Sequence, residues 1–149
     1  MSAENTAIVR RFYDQIWTKR NLEVINELVS PSHALQGPNI LGSSIGPEAY
    51  KRQVQRFLEG YPDLRWTIED TIADNDKVVA CWTIAGTHQG NFMGVPATGK
   101  KISVDGMTIH HIAGGKIMDS HSIWDTLGMM QQLGAVPPIG KAKDAATAP

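Results

Sequence analysis

Two runs of alternating residues on either side of Gly114-Gly115 constrain the fold of this chain most strongly. Lys101 to Ile112 and Lys116 to Trp124 are rich in β-branched and apolar residues. Both glycines accept the positive φ that a type I′ turn requires, so the runs predict an antiparallel hairpin. A turn-rich segment precedes the hairpin and a helical pattern follows it. The stretch from Gly86 to Leu133 therefore suits one wall of a small-molecule pocket.

The hairpin turn also predicts which side chains share a face. If Ala113 lies opposite Lys116, then Ile112 pairs with Ile117, Ile109 with Ser120 and Met107 with Ser122. Strand alternation then predicts two groups. One face would carry Asp105, Met107, Ile109, Ser120 and Ser122, and the other Thr108, His110, Asp119 and His121.

The periodicity of the remaining chain predicts an α+β fold. Apolar residues recur at helical spacing over 8–17, 22–28 and 50–58, and the helix that contains the last range is predicted to begin at Pro47. Alternation over 64–69 and 77–88 predicts two more antiparallel strands, and Asp125 can cap a final helix. The expected architecture is three N-terminal helices on a curved, mainly antiparallel sheet, with a short C-terminal helix. The segment from Ser30 to Gly46 is expected to be an irregular loop that could cover a cavity.

Length and composition indicate how many domains the chain forms and which classes of partner it could bind. A length of 149 residues with 42% hydrophobic residues predicts one domain over 1–136, followed by a disordered tail over 137–149. Fourteen basic and 15 acidic residues give a net charge of -1, which does not favour nucleic acid or membrane as a partner. No signal peptide or bilayer-spanning run is evident, so a cytoplasmic location is expected. An apolar outer sheet face would require a partner, which predicts a homodimer through the sheet.

These motifs resemble the SnoaL-like polyketide cyclases, also called ester cyclases, within the cone-shaped superfamily of nuclear transport factor two and ketosteroid isomerase. The resemblance runs from VRRFYDQIW through YPDLRWTIEDTIADNDKV and GTHQGNFMGVPATGKK to IWDTLGMMQQLG. It implies a cone-shaped α+β barrel with a hydrophobic pocket. It also implies an intramolecular aldol ring closure of a polyketide ester by acid–base chemistry, without metal or organic cofactor.

The resemblance also suggests where proton transfer occurs. In the family a carboxylate on the last long strand acts as general acid and base, and that position matches Ser122. The family histidine matches Ser120, and a polar pair after the second helix matches Leu35-Gln36. We therefore hypothesise that Asp105, on the adjacent strand, supplies the missing carboxyl group, with its pKa raised in an apolar cavity. The alternative places Asp105 at a bulge beside Gly106, capped by backbone donors.

The candidate site consists of two sets of residues. The candidate catalytic residues are Asp105 and Ser122, and the candidate substrate-binding residues are Tyr13, Trp17, His33, Gln36, Phe57, Trp82, Phe92, Met107, Ser120 and His121. Tyr13 and Trp82 are expected to lie nearest the ligand. His33, in the predicted loop, could orient a carbonyl group or transfer a proton, or it could simply be solvated.

A metal site is not expected. His110, His111 and His121 come from one hairpin and could in principle bind zinc. Adjacent residues of a strand point to opposite faces, so His110 and His111 cannot act together. Only His110 and His121 would then share the outer face, as an interface or hydrogen-bonded pair.

Three functions remain open from the sequence. The first is a cofactor-independent cyclase, isomerase or lyase that enolises a hydrophobic carbonyl compound. The second is a binding protein that holds a hydrophobic small molecule without converting it, which the serines at 120 and 122 would favour. The third is epoxide hydrolysis, which would require an Asp-Arg-Asp arrangement in the pocket.

Overall fold

The computed structural model describes residues 2–38 and 44–137, and the predicted disordered tail lies, apart from Pro137, outside the described residues. The elements, in chain order, are α1 (Ser2–Tyr13), a π-helix (Asp14–Thr18), α2 (Val24–Leu28), β1 (Val29–Gln36), β2 (Ser44–Ile45), α3 (Pro47–Gly60), β3 (Arg65–Asp74), β4 (Lys77–Thr87), β5 (Lys101–Ala113), β6 (Lys116–Trp124) and α4 (Thr126–Gln132). None of the helices in these ranges is both long and apolar enough to cross a membrane.

The strands form one mixed sheet of six in the order β2-β1-β6-β5-β4-β3. The last four strands of the chain form the predicted antiparallel meander, with β3 against β4, β4 against β5 and β5 against β6. The α+β class and the curved sheet expected from the sequence are therefore confirmed. Antiparallel neighbours need only short connections, and this is why the periodicity located them correctly.

The prediction of an irregular loop from Ser30 to Gly46 was wrong for most of the described part of that segment. Val29–Gln36 is a strand that runs parallel to β6, and Ser44–Ile45 pairs with it antiparallel. The polar sequence SPSHALQ shows no clear alternation, because only part of it is buried and the pairing with β6 is irregular between Val29 and Ala34. Strand formation here depends on the neighbouring strand more than on local propensity.

The hairpin register predicted from the turn is correct at its base and wrong beyond it. Ala113 lies opposite Lys116 and Ile112 opposite Ile117, but a β-bulge then shifts the pairing by one residue. His110 consequently faces Ser120, and Thr108 faces Ser122. Because a one-residue shift exchanges the faces of a strand, the predicted grouping of side chains is wrong for half of the hairpin.

A π-helix continues α1 and places aromatic residues toward the sheet. Its wider turn is closed by a hydrogen bond of 2.9 Å from the Lys19 amide to the Asp14 carbonyl. Arg20, with φ of 61°, then turns the chain and donates hydrogen bonds to the carbonyls of Trp17 (2.7 Å) and Leu64 (2.8 Å). These bonds satisfy backbone groups at the end of the helix. They also join the first helical segment to the start of β3.

Candidate functional site

A cavity lies between the helices and the inner face of the sheet. The described residues that line it are Phe12, Tyr13, Trp17, Leu35, Gly37, Pro38, Tyr50, Gln53, Phe57, Trp66, Trp82, Ile84, Thr108, His110, Ser120, Ser122 and Trp124. Its volume is about 60 Å³, several times the roughly 10–15 Å³ that one water molecule requires. About half of these residues are Phe, Tyr or Trp, and a line of hydroxyl groups and one imidazole lie along the sheet. Such a surface suits an apolar ligand that carries a few polar groups.

One wall of the cavity is a row of packed indole rings. The ring centres of Trp17 and Trp66 are 4.5 Å apart, as are those of Trp66 and Trp82. Trp82 packs directly over β5 because its register partner there is Gly106. A Cβ at Gly106 would lie 2.3 Å from the Trp82 ring, so the strand has no room for a side chain at this point. The glycine therefore fixes the position of the cavity wall.

His110 is at the centre of a buried line of hydrogen bonds along the sheet. Its Nε2 lies 2.7 Å from the Tyr13 hydroxyl, and its Nδ1 lies 2.8 Å from the Ser120 hydroxyl. The same Ser120 oxygen lies 3.1 Å from Nε2 of His33, on β1. All four side chains are buried, with at most 5% of their surface exposed. The arrangement connects the end of α1 to three different strands.

A second line of hydrogen bonds runs beside the first. The Trp82 indole N–H donates a hydrogen bond to the Thr108 hydroxyl at 2.9 Å. A second hydrogen bond, of 2.8 Å, joins the hydroxyls of Thr108 and Ser122. The Thr108 hydroxyl is also near the Tyr13 phenol, where its hydrogen bonding acts to lower the pKa of Tyr13. The two lines therefore meet at the Tyr13 hydroxyl.

Burial keeps these groups uncharged. Desolvation, together with a smaller effect of the nearby His33, lowers the pKa of His110 to about 3. Desolvation also lowers the pKa of His33 to about 4, against a smaller opposing effect of Asp119. The pKa of the Tyr13 hydroxyl is raised by burial, although its hydrogen bond with Thr108 acts in the other direction. At neutral pH the site therefore presents neutral imidazoles and a protonated phenol.

The structure contradicts the placement of Asp105, Met107 and His121 in the site. All three are exposed on the outer face of the sheet, and Asp105 accepts a hydrogen bond of 2.9 Å from the Thr83 hydroxyl. The predicted role of Asp105 as an interior acid is therefore wrong. The error follows from the bulge between β5 and β6. Without this bulge, Asp105 would share the inner face of the hairpin with Ser120 and Ser122. Asp105 therefore lies neither in the cavity nor at a bulge beside Gly106.

Other predicted residues divide between the cavity and its surroundings. The cavity lining includes Tyr13, Trp17, Phe57, Trp82, Ser120 and Ser122, whose roles in binding or catalysis stay predictions. His33 is buried behind Ser120 on a strand rather than in a loop, and Gln36 is exposed at the end of that strand. Phe92 is core, with its ring centre 4.9 Å from that of Phe57. The positions of His33, Gln36 and Phe92 depend on how β1 and the turn after β4 pack, and the periodicity of the sequence does not specify this packing.

The most important residue that sequence reasoning misplaced is His110. It was assigned to the outer face with His121, whereas it is buried inside and His121 is exposed outside. In β6, positions 119, 121 and 123 are exposed and alternate with buried positions 120 and 124, so Ser120 and Trp124 share the inner face with His110. Thr108, Tyr50, Gln53 and Trp66 are further lining residues that the candidate list lacked.

Two further sequence-based hypotheses concern a metal site and epoxide hydrolysis. Over residues 2–38 and 44–137, no group of three or more His, Cys, Asp or Glu side chains is arranged to hold a metal ion. His111 lies between two carboxylates instead, 2.7 Å from Asp76 and 3.0 Å from Asp119. The described cavity lining contains no Asp, Glu or Arg, so the Asp-Arg-Asp arrangement required for epoxide hydrolysis is not found there.

A mixed sheet covered by helices around an aromatic cavity defines a class of small α+β pocket proteins. Within that class, the sequence model of the family described as SnoaL-like polyketide cyclase matches residues 7–133. The chain belongs to this family.

Two curated relatives and one solved structure illustrate the similarity. The chain is 29% identical over 132 residues to the aklanonic acid methyl ester cyclases DauD of Streptomyces sp. (strain C5) and DnrD of Streptomyces peucetius. The alignments cover 85% of this chain and 80% and 88% of the two relatives. A candidate SnoaL-like polyketide cyclase from Jannaschia sp. CCS1 shares the fold with a TM-score of 0.84 and 24% identity, over 92% of this chain and 96% of that one.

Proposed function

We propose that this protein is a cyclase-type enzyme that promotes enolisation and aldol ring closure of a hydrophobic carbonyl compound, without metal or organic cofactor. The observation that carries the proposal is the Tyr13 hydroxyl at the cavity wall, 2.7 Å from Nε2 of the buried His110. Membership of the SnoaL-like polyketide cyclase family supports a reaction of the cyclase type. The two similar ester cyclases support a carbonyl substrate with an ester group.

In this proposal the protein stabilises negative charge on oxygen with neutral hydrogen-bond donors. Tyr13 stays protonated because burial raises its pKa, so it can donate a hydrogen bond to a substrate carbonyl. A water molecule in the cavity takes the proton from the carbon beside that carbonyl, charge develops on the same oxygen, and the hydrogen bond from Tyr13 strengthens. A neutral imidazole behind Tyr13 can support this donation from its own N–H. Preorganised donors of this kind commonly supply the largest part of a rate enhancement.

The same donors suit the second half of an aldol reaction. After the enolate carbon attacks a second carbonyl, an alkoxide forms and takes back from water the proton that was lost at enolisation. Tyr13 and the hydroxyl of Ser122 are the groups that could donate to it, since both line the cavity. Ser122 occupies the position of the family carboxylate, and its hydroxyl, held by Thr108 at 2.8 Å, replaces an acid with a neutral donor.

Enolisation can be tested directly with simple probes. Benzoylacetone and methyl benzoylacetate carry an aromatic ring beside an acidic carbon, and their exchange of hydrogen for deuterium in D₂O can be followed by NMR. We expect the wild-type protein to accelerate the exchange. The substitution Tyr13→Phe should lower kcat about a hundredfold, the usual effect of removing one oxyanion donor, while preserving the aromatic wall.

Asp105→Asn is the matched control. Asp105 is an ionisable residue of the β5–β6 hairpin, and its side chain lies on the outer face of the sheet. It should exchange the probes at the wild-type rate. An equal loss of exchange in both variants would contradict the assignment of Tyr13. Absence of acceleration by the wild-type protein with any probe would contradict the enolisation chemistry itself.

A non-catalytic binding protein is the second candidate function. The observation in its favour is that the described cavity lining contains no carboxylate, the group that the family resemblance places at Ser122. A binding protein would quench its indole fluorescence on adding an aromatic ligand, yet leave the exchange rate of the probes unchanged. Saturable quenching together with accelerated exchange would instead favour the enzyme.

The proposal includes a homodimer formed through the outer face of the sheet. Exposed apolar side chains lie next to one another there, since Met107 on β5 pairs with Ile123 on β6 and neighbours Cys81 on β4. Met107 is 58% exposed and Ile123 is 64% exposed. A contiguous exposed apolar patch of this kind is typical of an interaction surface. A dimer would cover it and leave both cavities on the opposite faces.

A further inference from the structure

We propose that His33, although it does not line the cavity, is a positioning residue that determines through Ser120 which nitrogen of His110 carries its proton. The inference rests on the proposed function and deepens it, because the proton position decides whether His110 donates to Tyr13 or accepts from it. Only the first arrangement leaves the Tyr13 proton free for a substrate oxygen. The structural basis is the unbroken line Tyr13–His110–Ser120–His33.

The Ser120 hydroxyl couples the two imidazoles. It lies 2.8 Å from Nδ1 of His110 and 3.1 Å from Nε2 of His33. A hydroxyl has a single proton, so toward two ring nitrogens it donates to one and accepts from the other. One of these two nitrogens must therefore carry a proton and the other must not. The tautomer of His33 thus fixes the tautomer of His110.

The surroundings of His33 select between the two tautomers. Nδ1 of His33 is buried and has no hydrogen-bond partner among the described residues. If the proton were on Nδ1, a buried N–H would remain unpaired, which is rare in folded proteins. With the proton on Nε2, the N–H donates to Ser120. The ring is held in place by its edge-on contact with Tyr50, whose ring centre lies 5.9 Å away.

The order of donation then runs in one direction along the line. Nε2–H of His33 donates to Ser120, the Ser120 hydroxyl donates to Nδ1 of His110, and Nε2–H of His110 donates to the Tyr13 oxygen. The Tyr13 proton is consequently available to a substrate oxygen in the cavity. In the reverse order, Tyr13 would donate to His110 and lose this role. His33 therefore acts on the reaction through Ser120 and His110, without touching the substrate.

The first test is the position of the proton in the wild-type protein. The chain has five histidines, and nitrogen-15 NMR of labelled histidine at neutral pH distinguishes a ring nitrogen that carries a proton from one that does not. We expect His33 and His110 both to carry the proton on Nε2. A proton on Nδ1 of His110 would overturn the inference, whether or not the protein proves to be an enzyme.

Two substitutions at position 33 provide a matched pair. His33→Met fills similar space and cannot donate, so Ser120 becomes free to accept from His110 and the His110 proton should move at least partly to Nδ1. His33→Gln retains an N–H near the position of Nε2 and should keep the wild-type tautomer. An unchanged His110 tautomer in His33→Met would contradict the proposal. If His33→Met does not fold, His33→Leu also fills the space without a donor and should produce the same movement of the His110 proton toward Nδ1.

Kinetics provide an independent readout. In the deuterium-exchange assay, His33→Met should lower kcat about tenfold with little change in KM, the scale expected when one hydrogen bond is lost. His33→Gln should restore most of the loss. A normal kcat in His33→Met, with active wild-type protein, would overturn the role of His33 and leave the proposed function intact. Inactive wild-type protein would count against the proposed function, and the NMR result would still decide the tautomer.

Discussion

Burial without a charged partner keeps the two interior histidines, His33 and His110, neutral. Residues that often act as acids or bases therefore serve here as neutral hydrogen-bonding groups. The pKa of His110 is lowered to about 3 and that of His33 to about 4, chiefly by desolvation. At the same time the hydroxyls of Tyr13 and Ser120 satisfy three of the four ring nitrogens. Neutral imidazoles with fixed tautomers can direct hydrogen bonds without carrying charge.

The same pKa shifts predict how stability changes in acid. The unfolded chain binds protons at histidine below about pH 6.5, whereas folded His33 stays neutral down to about pH 4. Folding is therefore favoured above the unfolded pKa, and this contribution is lost as the pH falls toward 4, by about 1.4 kcal/mol per pH unit. Urea unfolding at several pH values should give a shallower acid loss for His33→Gln than for wild type. Identical slopes would indicate that His33 is not neutral in the fold.

The glycine beneath Trp82 provides a second test at the level of one residue. A Cβ at position 106 would lie 2.3 Å from the Trp82 ring and 2.7 Å from Cβ of Trp124. Gly106→Ala should therefore lower the free energy of unfolding by about 1–3 kcal/mol, as overpacked cores do. The control Lys101→Ala, exposed on the same strand, should change it by less than about 0.5 kcal/mol. Unfolding curves that coincide for wild type and Gly106→Ala would refute the close packing.

Among the elements, the β5–β6 hairpin shows how far the sequence predicts the site. Gly114-Gly115 located the turn, and Ala113 and Lys116 pair as that turn requires. The bulge one residue further on has no strong sequence signal, since it adds a residue whose position is decided by packing on both faces. His110 and Asp105 therefore exchanged their predicted faces. Element boundaries followed from periodicity, whereas the faces of the hairpin depended on tertiary structure.

Asp125 illustrates an element boundary that local chemistry determines. Its carboxylate accepts a hydrogen bond of 2.8 Å from the Gly128 amide, at the start of α4. Asp125→Ala should lower the free energy of unfolding by about 0.5–2 kcal/mol, the range for loss of an N-cap. Leu127→Ala, which removes a half-exposed side chain of the same helix, is the comparison and should cost less. Chemical denaturation measures both, and a larger effect at Leu127 would mean that packing rather than capping holds α4.

For the whole molecule, the family and the sheet meander could be inferred from the sequence, and the two faces of the sheet could not. The parallel strand β1 contributes His33 and Leu35 to the site region, yet its sequence has no strand-like alternation. Its position is set by β6, a partner more than eighty residues along the chain. Contacts of such separation are the part of a fold that local patterns describe least well.

The proposed dimer can be tested by placing a charge on the outer face. Ile123→Glu introduces a carboxylate into the centre of the exposed apolar patch and should convert a dimer to a monomer in sedimentation velocity. Ile45→Glu is the control, because Ile45 is 72% exposed on β2, three strands from β5 in the sheet. Its sedimentation should match wild type. A wild-type monomer, or a dimer that persists in Ile123→Glu, would contradict pairing through this face.

The central claim is that Tyr13, supported by His110, holds a substrate oxygen. The most direct measurement is a crystal structure of the protein with bound benzoylacetone, which exists largely as its enol. The account predicts an enol oxygen within hydrogen-bond distance of the Tyr13 hydroxyl, with the phenyl ring against the indole wall and the 2.7 Å contact between Tyr13 and His110 retained. A ligand bound with its oxygens away from Tyr13, or outside the cavity, would contradict it.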